Sequence, residues 1–393
     1  MRLASRLDKV SESATLKVTR RAAELRRQGV RVIDFGAGEP DFPSPGCAVE
    51  AARGALAEGF TRYTPVAGTP SLREALAERY RRRWGAPWTA SQVMVTVGGK
   101  AALFELALAL FEEGDEVVVP SPWWVSFPEQ ILLSGALPVA VPARLEDRFR
   151  IHADAVLAAL SPRTRAVLLN SPCNPTGGMV EMDDLERIAA ACAERGIVLI
   201  SDETYESFVY DGRPPVSAAA LAERYPQAIV LVGSFSKTFA MTGWRVGYAL
   251  GPAAVIEAAL RVQGHATSNP TSFAMVGAEA ALAGATADLP AMLAEYQARR
   301  DQLIPRLEAL PGFRCTPPAG AFYAFPDASG CFRGGTDGSV ALAEYLLEEA
   351  QVAVVPGAAF GDDRHLRISF ACSRQDLDEG VSRMEEALAR LGS

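Results

Sequence analysis

The stretch Ser234-Phe-Ser-Lys-Thr-Phe-Ala-Met-Thr-Gly-Trp-Arg245 follows directly on an apolar run, Ala228-Ile-Val-Leu-Val-Gly233. That run reads as a buried strand. A strand that ends in a turn of small polar residues is where open α/β sheets place their ligands. Lys237 sits in that turn. A primary amine held in a dry, partly cationic pocket loses its proton readily and can attack a carbonyl to form a Schiff base. Ser234, Ser236 and Arg245 offer two hydroxyls and a bidentate guanidinium to an anion, most simply a phosphate. An aldehyde that carries a phosphate and is held by one lysine is pyridoxal 5′-phosphate (PLP). The competing reading is a surface lysine beside a polar turn, and the rest of the chain has to decide between the two.

Composition narrows the classes. The chain has 393 residues, 49% of them hydrophobic, which sets the expectation of a globular protein with one large or two modest domains. A net charge of −8 gives no reason to expect nucleic acid or an anionic membrane as partner. Residues 1–29 are rich in charged side chains and lack the apolar core of a secretory signal. No stretch reaches the ~18 apolar residues that a membrane span needs. The 6 cysteines and 3 histidines show no metal-ligand spacing, so neither a metal site nor a disulfide-dependent secreted fold is expected. The expected location is the cytoplasm.

Four apolar runs upstream of 228–233 also end on polar loops. The first, 93–97, leads into Gly98-Gly-Lys100 and a helix-forming segment. A glycine pair between strand and helix presents free backbone N–H groups and the positive end of the helix dipole to an anion. Lys100 falls in the first turn, where that dipole disfavours a cation. A nearby anion would offset the cost, and a solvent-facing lysine would also tolerate it. The second run, 116–119, leads to Ser121-Pro-Trp-Trp124. A flat aromatic there could stack on a planar ring, or both tryptophans could pack in the core. The third, 165–169, leads to a turn-rich loop holding Asn174. Its amide could donate to a phenolic oxygen, although Asn before Pro is also ordinary turn chemistry. The fourth, 197–201, delivers Asp202-Glu-Thr-Tyr205. A buried carboxylate is costly without a cationic partner, and a protonated pyridine nitrogen would be one. Tyr205 shares the site if the chain turns helically after Asp202. Near the N-terminus the Gly/Pro loop 36–43 contains Gly38, where backbone could approach a ligand closely.

Strands alternating with helices predict an α/β protein with a doubly wound, largely parallel sheet and its ligands along one edge. A Ser-x-x-Glu pattern at Ser71–Glu74 predicts a capping box opening a helix to residue 84. Beyond residue 251, helices at 273–283, 291–310, 338–350 and 375–391 with strands at 320–325, 352–355 and 366–370 predict a smaller α+β domain. The expected division is 46–285 for the large domain, and 1–45 with 286–393 for the small one.

At this point the motifs resemble a known family. Ala37-Gly-Glu-Pro-Asp-Phe42, Tyr63-Thr-Pro-Val-Ala-Gly68, Gly98-Gly-Lys100, Ser121-Pro-Trp-Trp124, Asn174-Pro-Thr-Gly177, Asp202-Glu-Thr-Tyr205, Ser234-Phe-Ser-Lys237, Gly243-Trp-Arg245 and Arg367-Ile-Ser369 stand in the order found in the class I/II aminotransferases. These are PLP enzymes of fold type I, and the chain looks most like their bacterial aspartate and aspartate/prephenate subgroup. The match runs essentially end to end.

The resemblance implies the following roles. Lys237 would hold the cofactor covalently and shuttle a proton at the substrate Cα. Asp202 would keep the pyridine nitrogen protonated, so that the ring remains an electron sink. Tyr205 and Asn174 would bond the ring oxygen, and Trp124 would stack on the ring. The backbone N–H groups of Gly99 and Lys100, with Ser234, Ser236 and Arg245, would bind the phosphate. Tyr63 would reach the phosphate of a neighbouring subunit, which implies a homodimer with shared sites. Arg367 would clamp the substrate α-carboxylate, helped by Gly38 and Asn174. The Lys100 side chain would read a distal carboxylate, assisted by Ser13 and Thr15.

The implied activity is amino transfer from an aspartate- or glutamate-type donor to a 2-oxo acid. Cys173, Trp123, Gly264-His265 and Asn269 depart from the family's usual residues on the substrate side. An aromatic, prephenate or specialised substrate, or another PLP reaction such as β-elimination, therefore stays open. A non-catalytic regulatory domain is disfavoured by the complete catalytic set.

Overall fold

The computed structural model of the protein describes residues 3–10 and 14–391, and the side chains of all of these except 14–19. In chain order the strands are β1 (Ile33–Asp34), β2 (Val93–Thr96), β3 (Glu116–Ser121), β4 (Leu137–Pro142), β5 (Thr164–Asn170), β6 (Val198–Asp202), β7 (Ile229–Ser234), β8 (Gly247–Leu250), β9 (Tyr323–Ala324), β10 (Val352–Ala353), β11 (Val355–Pro356) and β12 (Leu366–Ser369). Strands β2 to β8 form one seven-stranded sheet in the order β2-β8-β7-β6-β5-β3-β4. Every neighbouring pair is parallel except the two that involve β8, which runs antiparallel to β2 and β7.

A parallel sheet needs both faces covered, and the side chains divide accordingly. Val118, Val167, Leu199 and Leu231 enter one core with Leu185 and Ile188 of the helix Met182–Arg195. Val117, Val119, Leu168, Ile200 and Val232 enter another with Leu103 and Leu106 of the helix Gly99–Leu110. Side chains alternate along a strand with period two. Ser121, Asn170, Asp202 and Ser234, the last residues of β3, β5, β6 and β7, therefore share the face of the helix that opens at Gly99. Asn170 is in register with Asp202, while β7 passes Asp202 at Val232 and runs on to Ser234.

The remaining strands make a three-stranded antiparallel sheet, β11-β12-β9, and the parallel pair β1-β10. They pack with the helices Leu289–Ala309, Ser339–Glu349 and Arg374–Leu391 around Leu303, Leu307, Leu342, Leu346, Ile368, Phe370, Val381 and Met384. Tyr205, Phe208 and Tyr210, from the segment after β6, belong to the same core. The edge of the large sheet therefore meets the small one there.

The structure departs from the sequence reading in several elements. β8 was not anticipated, because a short segment that opens on Gly247 and is followed by Gly251 shows no usable alternation. The expected strand at 352–355 divides: β10 pairs with β1 and β11 with β12, the chain changing sheets at Val354. A further helix, Ser126–Ser134, follows the tryptophans, in a segment to which the sequence reading assigns no element. Ser71 is not the expected cap. Pro70 occupies the first helical turn and Thr69 is the N-cap residue, as proline's fixed φ and missing N–H favour. Ser71 Oγ instead donates to Glu279 Oε2 at 2.7 Å. Among the described residues no helix is long and apolar enough to cross a membrane.

Candidate active site

Asp202 ends β6 and is 4% exposed. Its Oδ1 accepts from the Thr204 N–H at 3.1 Å. Burial pushes its carboxyl up to about 6, against the hydrogen bonds from Thr204 and the charge of Lys237. A cationic group bound against it would reverse that shift.

On the neighbouring strand, Ser234 caps the short helical turn Phe235–Thr238, its Oγ accepting from the Ser236 N–H at 3.1 Å. The Ser234 and Ser236 hydroxyls lie 2.9 Å apart. That turn carries Lys237, half-buried, whose Nζ donates to the Gly38 carbonyl. Burial above all, then the charges of Arg367, Arg245 and Lys100, lower its amine to about 8, with Glu39 pulling the other way. A neutral amine is therefore accessible near neutral pH, which is what attack on an aldehyde requires.

Beside this turn three glycines come so close to their neighbours that side chains would not fit. Gly98 has φ +79°, and a Cβ on it would lie 2.6 Å from Arg245 Nη2. A Cβ on Gly99 would lie 3.5 Å from Ser234 Cβ and 3.7 Å from Thr204 Oγ1. Gly247 is equally constrained, since a Cβ there would meet the Gly99 nitrogen at 2.2 Å. Arg245 is itself left-handed at φ +54°, and its Nη1 donates to the Thr242 carbonyl at 3.0 Å. Helix N-terminal N–H groups, two hydroxyls and a guanidinium thus gather where only glycines fit, and that set suits a phosphate.

The other half of the site comes from the small sheet. Arg367 on β12 is 5% exposed. It donates from Nη1 to Asn174 Oδ1 at 3.0 Å and from Nη2 to the Gly36 carbonyl at 2.8 Å. Its guanidinium lies 4.6 Å from the ring centroid of Tyr323 and 5.1 Å from that of Phe360. The buried Nε has no hydrogen-bond partner. An unpaired buried donor on a cation is costly, and a carboxylate would satisfy it. With Oδ1 facing Arg367, Asn174 keeps its NH₂ for a separate acceptor. Tyr205 and Tyr323 place their hydroxyl oxygens 2.8 Å apart.

Lys100 Nζ lies 4.8 Å from the Trp124 ring centroid. Partial desolvation and then the Arg245 charge lower its pKa. Trp124 packs edge-on against Phe127. Trp123 packs against the large-sheet core and also meets the turn between β11 and β12: its backbone N–H donates to the Phe360 carbonyl at 3.1 Å, and a Cβ on Gly361 would touch its indole at 3.4 Å.

The fold therefore gathers Lys237, Asp202, Tyr205, Asn174, Gly38, Arg367, Ser234, Ser236, Arg245, Gly99 and Lys100 in one site. Tyr63 stands apart, 91% exposed. Ser13 lies outside the described residues, and of Thr15 only the backbone, in the helix Ala14–Arg27, is described. Cys173 is buried under the Pro122 carbonyl at 3.5 Å, and burial pushes its thiol up to about 11. His265 is exposed. Sequence reading missed Thr204, Tyr323, Phe360 and Glu39. Of these, Glu39 and Thr204, each within a quoted motif, lay beside residues already singled out.

These residues fit PLP: an amine of lowered pKa for its aldehyde, a buried acid for its ring nitrogen and a glycine-bounded cradle for its phosphate. The profile of the family "Aminotransferase class I and II" matches residues 30–384. The chain is 43% identical over 391 residues to a probable aspartate/prephenate aminotransferase of Aquifex aeolicus, covering 99% of each chain. It is 41% identical over 390 residues to an aspartate aminotransferase of Geobacillus stearothermophilus, covering 98% of each. The solved structure of the Thermus thermophilus aspartate aminotransferase with maleate matches with a TM-score of 0.92 at 41% identity, over 98% of this chain and 100% of that one. Likeness of that extent in sequence and in backbone decides the family: this chain belongs to the class I and II aminotransferases, PLP-dependent enzymes of fold type I that exchange an amino group between an amino acid and a 2-oxo acid.

Proposed function

We propose that this aminotransferase prefers dicarboxylic substrates of the aspartate and glutamate type. The observation that carries the reading is a pair of cationic ends on one site. Arg367 is fixed by Asn174 and Gly36, with its Nε unpaired, and the Lys100 amine lies over Trp124. Both charges act on Lys237 between them. In this reading Arg367, with Gly38 and Asn174, takes the α-carboxylate, and Lys100, with Ser13 and Thr15, takes the distal one. The names of the relatives agree, and maleate in the Thermus thermophilus structure is itself a dicarboxylate.

The remaining roles follow from chemistry at stated atoms. Bound PLP supplies the electron sink for breaking the substrate Cα–H bond. The Lys237 amine accepts that proton and returns it. Asp202 holds a proton on the ring nitrogen, while Tyr205 and Asn174 donate to the ring oxygen. Trp124 covers a ring face. The N–H groups of Gly99 and Lys100 with Ser234, Ser236 and Arg245 hold the phosphate. Tyr63, exposed on its own subunit, completes the site of a second copy, so the working unit is a homodimer. Sedimentation that finds a fully active monomer would refute this last point. Free thiols at all six cysteines support a cytoplasmic location.

The test is kcat/KM for aspartate, glutamate and phenylalanine in the wild type and in Lys100→Ala. A charge-assisted hydrogen bond is worth roughly 1.5–3 kcal/mol, so the two dicarboxylates should lose about 10- to 150-fold, and phenylalanine little. An equal loss for all three would confine Lys100 to the cofactor and overturn the substrate preference.

A further inference from the structure

We propose that Tyr323 is a positioning residue with two separate tasks: its hydroxyl orients the Tyr205 phenol, and its ring holds the Arg367 guanidinium. The inference rests on the roles given above to Tyr205 and Arg367. Tyr323 is 0% exposed and stands at the junction of the two halves of the site. β9 pairs with β12 so that Tyr323 is opposite Ser369. Arg367 precedes Ser369 by one period of the strand and shares its face, which makes Tyr323 and Arg367 diagonal neighbours. That register places the guanidinium 4.6 Å from the Tyr323 ring centroid. The hydroxyl reaches the other way, 2.8 Å from that of Tyr205. It also bounds Gly38: a Cβ there would lie 3.5 Å from the Tyr323 hydroxyl, and the Gly38 carbonyl receives Lys237.

Each phenol has one proton to give. The Arg367 guanidinium lies over the Tyr323 ring and opposes the effect of burial on both phenols, but burial and the Asp202 charge leave Tyr205 well above the ordinary phenol range, so Tyr323 is taken as the stronger acid of the pair. Tyr323 therefore donates and Tyr205 accepts. The Tyr205 proton is left for a second acceptor, which in the reading above is the ring oxygen of PLP. A phenol that already accepts a hydrogen bond is also a better donor. Packing alone would not select a hydroxyl here, since Phe would fill the same volume.

The experiment compares PLP-loaded wild type, Tyr323→Phe, Tyr323→Leu, Tyr205→Phe and the double variant Tyr205→Phe/Tyr323→Phe. The readouts are the pH midpoint of the visible cofactor band and the separate kcat and KM for an amino acid. Weakening a donor to the ring oxygen destabilises its anionic form, so the midpoint should rise. Tyr323→Phe should raise it by a few tenths of a pH unit, less than Tyr205→Phe does, with KM within about twofold of wild type. In the Tyr205→Phe background the second change should add nothing. Tyr323→Leu, which removes the ring as well, should raise KM by roughly 2- to 30-fold, the range of a cation–π contact.

A Tyr323→Phe midpoint equal to wild type, or a full additional shift in the double variant, overturns the hydroxyl task. A Tyr323→Leu KM equal to that of Tyr323→Phe overturns the ring task. Tyr323→Phe keeps the packed volume and carries the test where Tyr323→Leu does not fold. If Tyr205→Phe leaves the midpoint in place, the role of Tyr205 fails. If Tyr205→Phe moves it and Tyr323→Phe does not, only the present inference fails.

Discussion

Asp202 and Lys237 stand at the ends of adjacent parallel strands, where main-chain hydrogen bonds set their separation and strand parity sets their face. Arg367 and Tyr323 stand on a short antiparallel pair in a different core, and reach the same site only because that core takes in Tyr205 and its neighbours. The first half is a floor built into one sheet. The second is a clamp that meets the floor through a shared core and through side-chain and loop contacts, among them Arg367 to Asn174, Tyr323 to Tyr205, Gly38 to Lys237, and Thr242 Oγ1 to Glu39 Oε2 at 2.8 Å. Chemistry that needs a fixed relation among several groups sits on the floor. Recognition of the α-carboxylate sits across the seam between the two cores, where Arg367 of one meets Asn174 of the other. Variants of the two halves should therefore differ in kind, with floor variants losing turnover and clamp variants changing affinity or electrostatics.

The largest effect expected is at the nucleophile. Lys237→Ala removes both the covalent anchor and the proton carrier, so turnover should fall by at least about 10⁴-fold, and the visible band of bound PLP should change character. Single-turnover absorbance with excess amino acid reads both. Activity within about tenfold of wild type would mean that the floor is not the chemical half, and the comparison would collapse. Asp202→Asn comes next. It keeps the volume and the contact with Thr204 but gives up the negative charge on which a protonated ring nitrogen depends. A loss of kcat of about 100-fold or more, with KM for the amino acid little changed, is expected from a buried charge of this type. A pure KM effect would move Asp202 to the clamp side of the division.

What could be read from the sequence follows the same line. Asp202 and Ser234 were legible because apolar runs announce strands and these residues end them, and Asn174 and Lys237 because they fall in the polar turns that follow such runs. Lys100 and Gly99 were legible because a glycine pair before a helix former marks an N-terminus. Tyr323 was not, because its meaning lies in being opposite Ser369, and β9 is too short to show an alternation that would reveal a register. The two adjacent tryptophans were ambiguous for a related reason. Only the turn between β11 and β12, carrying Phe360 and Gly361 to Trp123, separates that residue from Trp124, which has Lys100 over it. Ser71 misled because its pattern fits a capping box, yet Pro70 moves the helix start upstream and frees its hydroxyl for Glu279.

The smallest effect, and the one that measures how far the clamp acts on the floor, concerns Glu39. This residue lies on the loop beside Gly38, is exposed, and its charge raises the Lys237 amine that burial and three cations lower to about 8. In the PLP-free protein only the neutral amine captures the aldehyde. The second-order rate of PLP capture should therefore rise about tenfold per pH unit up to about 8 and level off above it. Glu39→Gln keeps an oxygen to accept from Thr242 and removes the charge. Without that charge the Lys237 midpoint moves down, more amine is neutral at pH 7, and capture there becomes faster. Glu39 is exposed, so solvent screens its effect, and the shift should stay below about 0.5 pH unit, or at most about threefold in rate. In 1 M salt, where the Debye length is about 3 Å, the two profiles should converge. Stopped-flow absorbance across pH 6–10 at low and high salt decides it. Coincident profiles at low salt would show that the clamp loop touches the floor only sterically. A slower Glu39→Gln enzyme at pH 7 would refute the assigned sign and show that the carboxylate favours capture rather than holding the amine protonated.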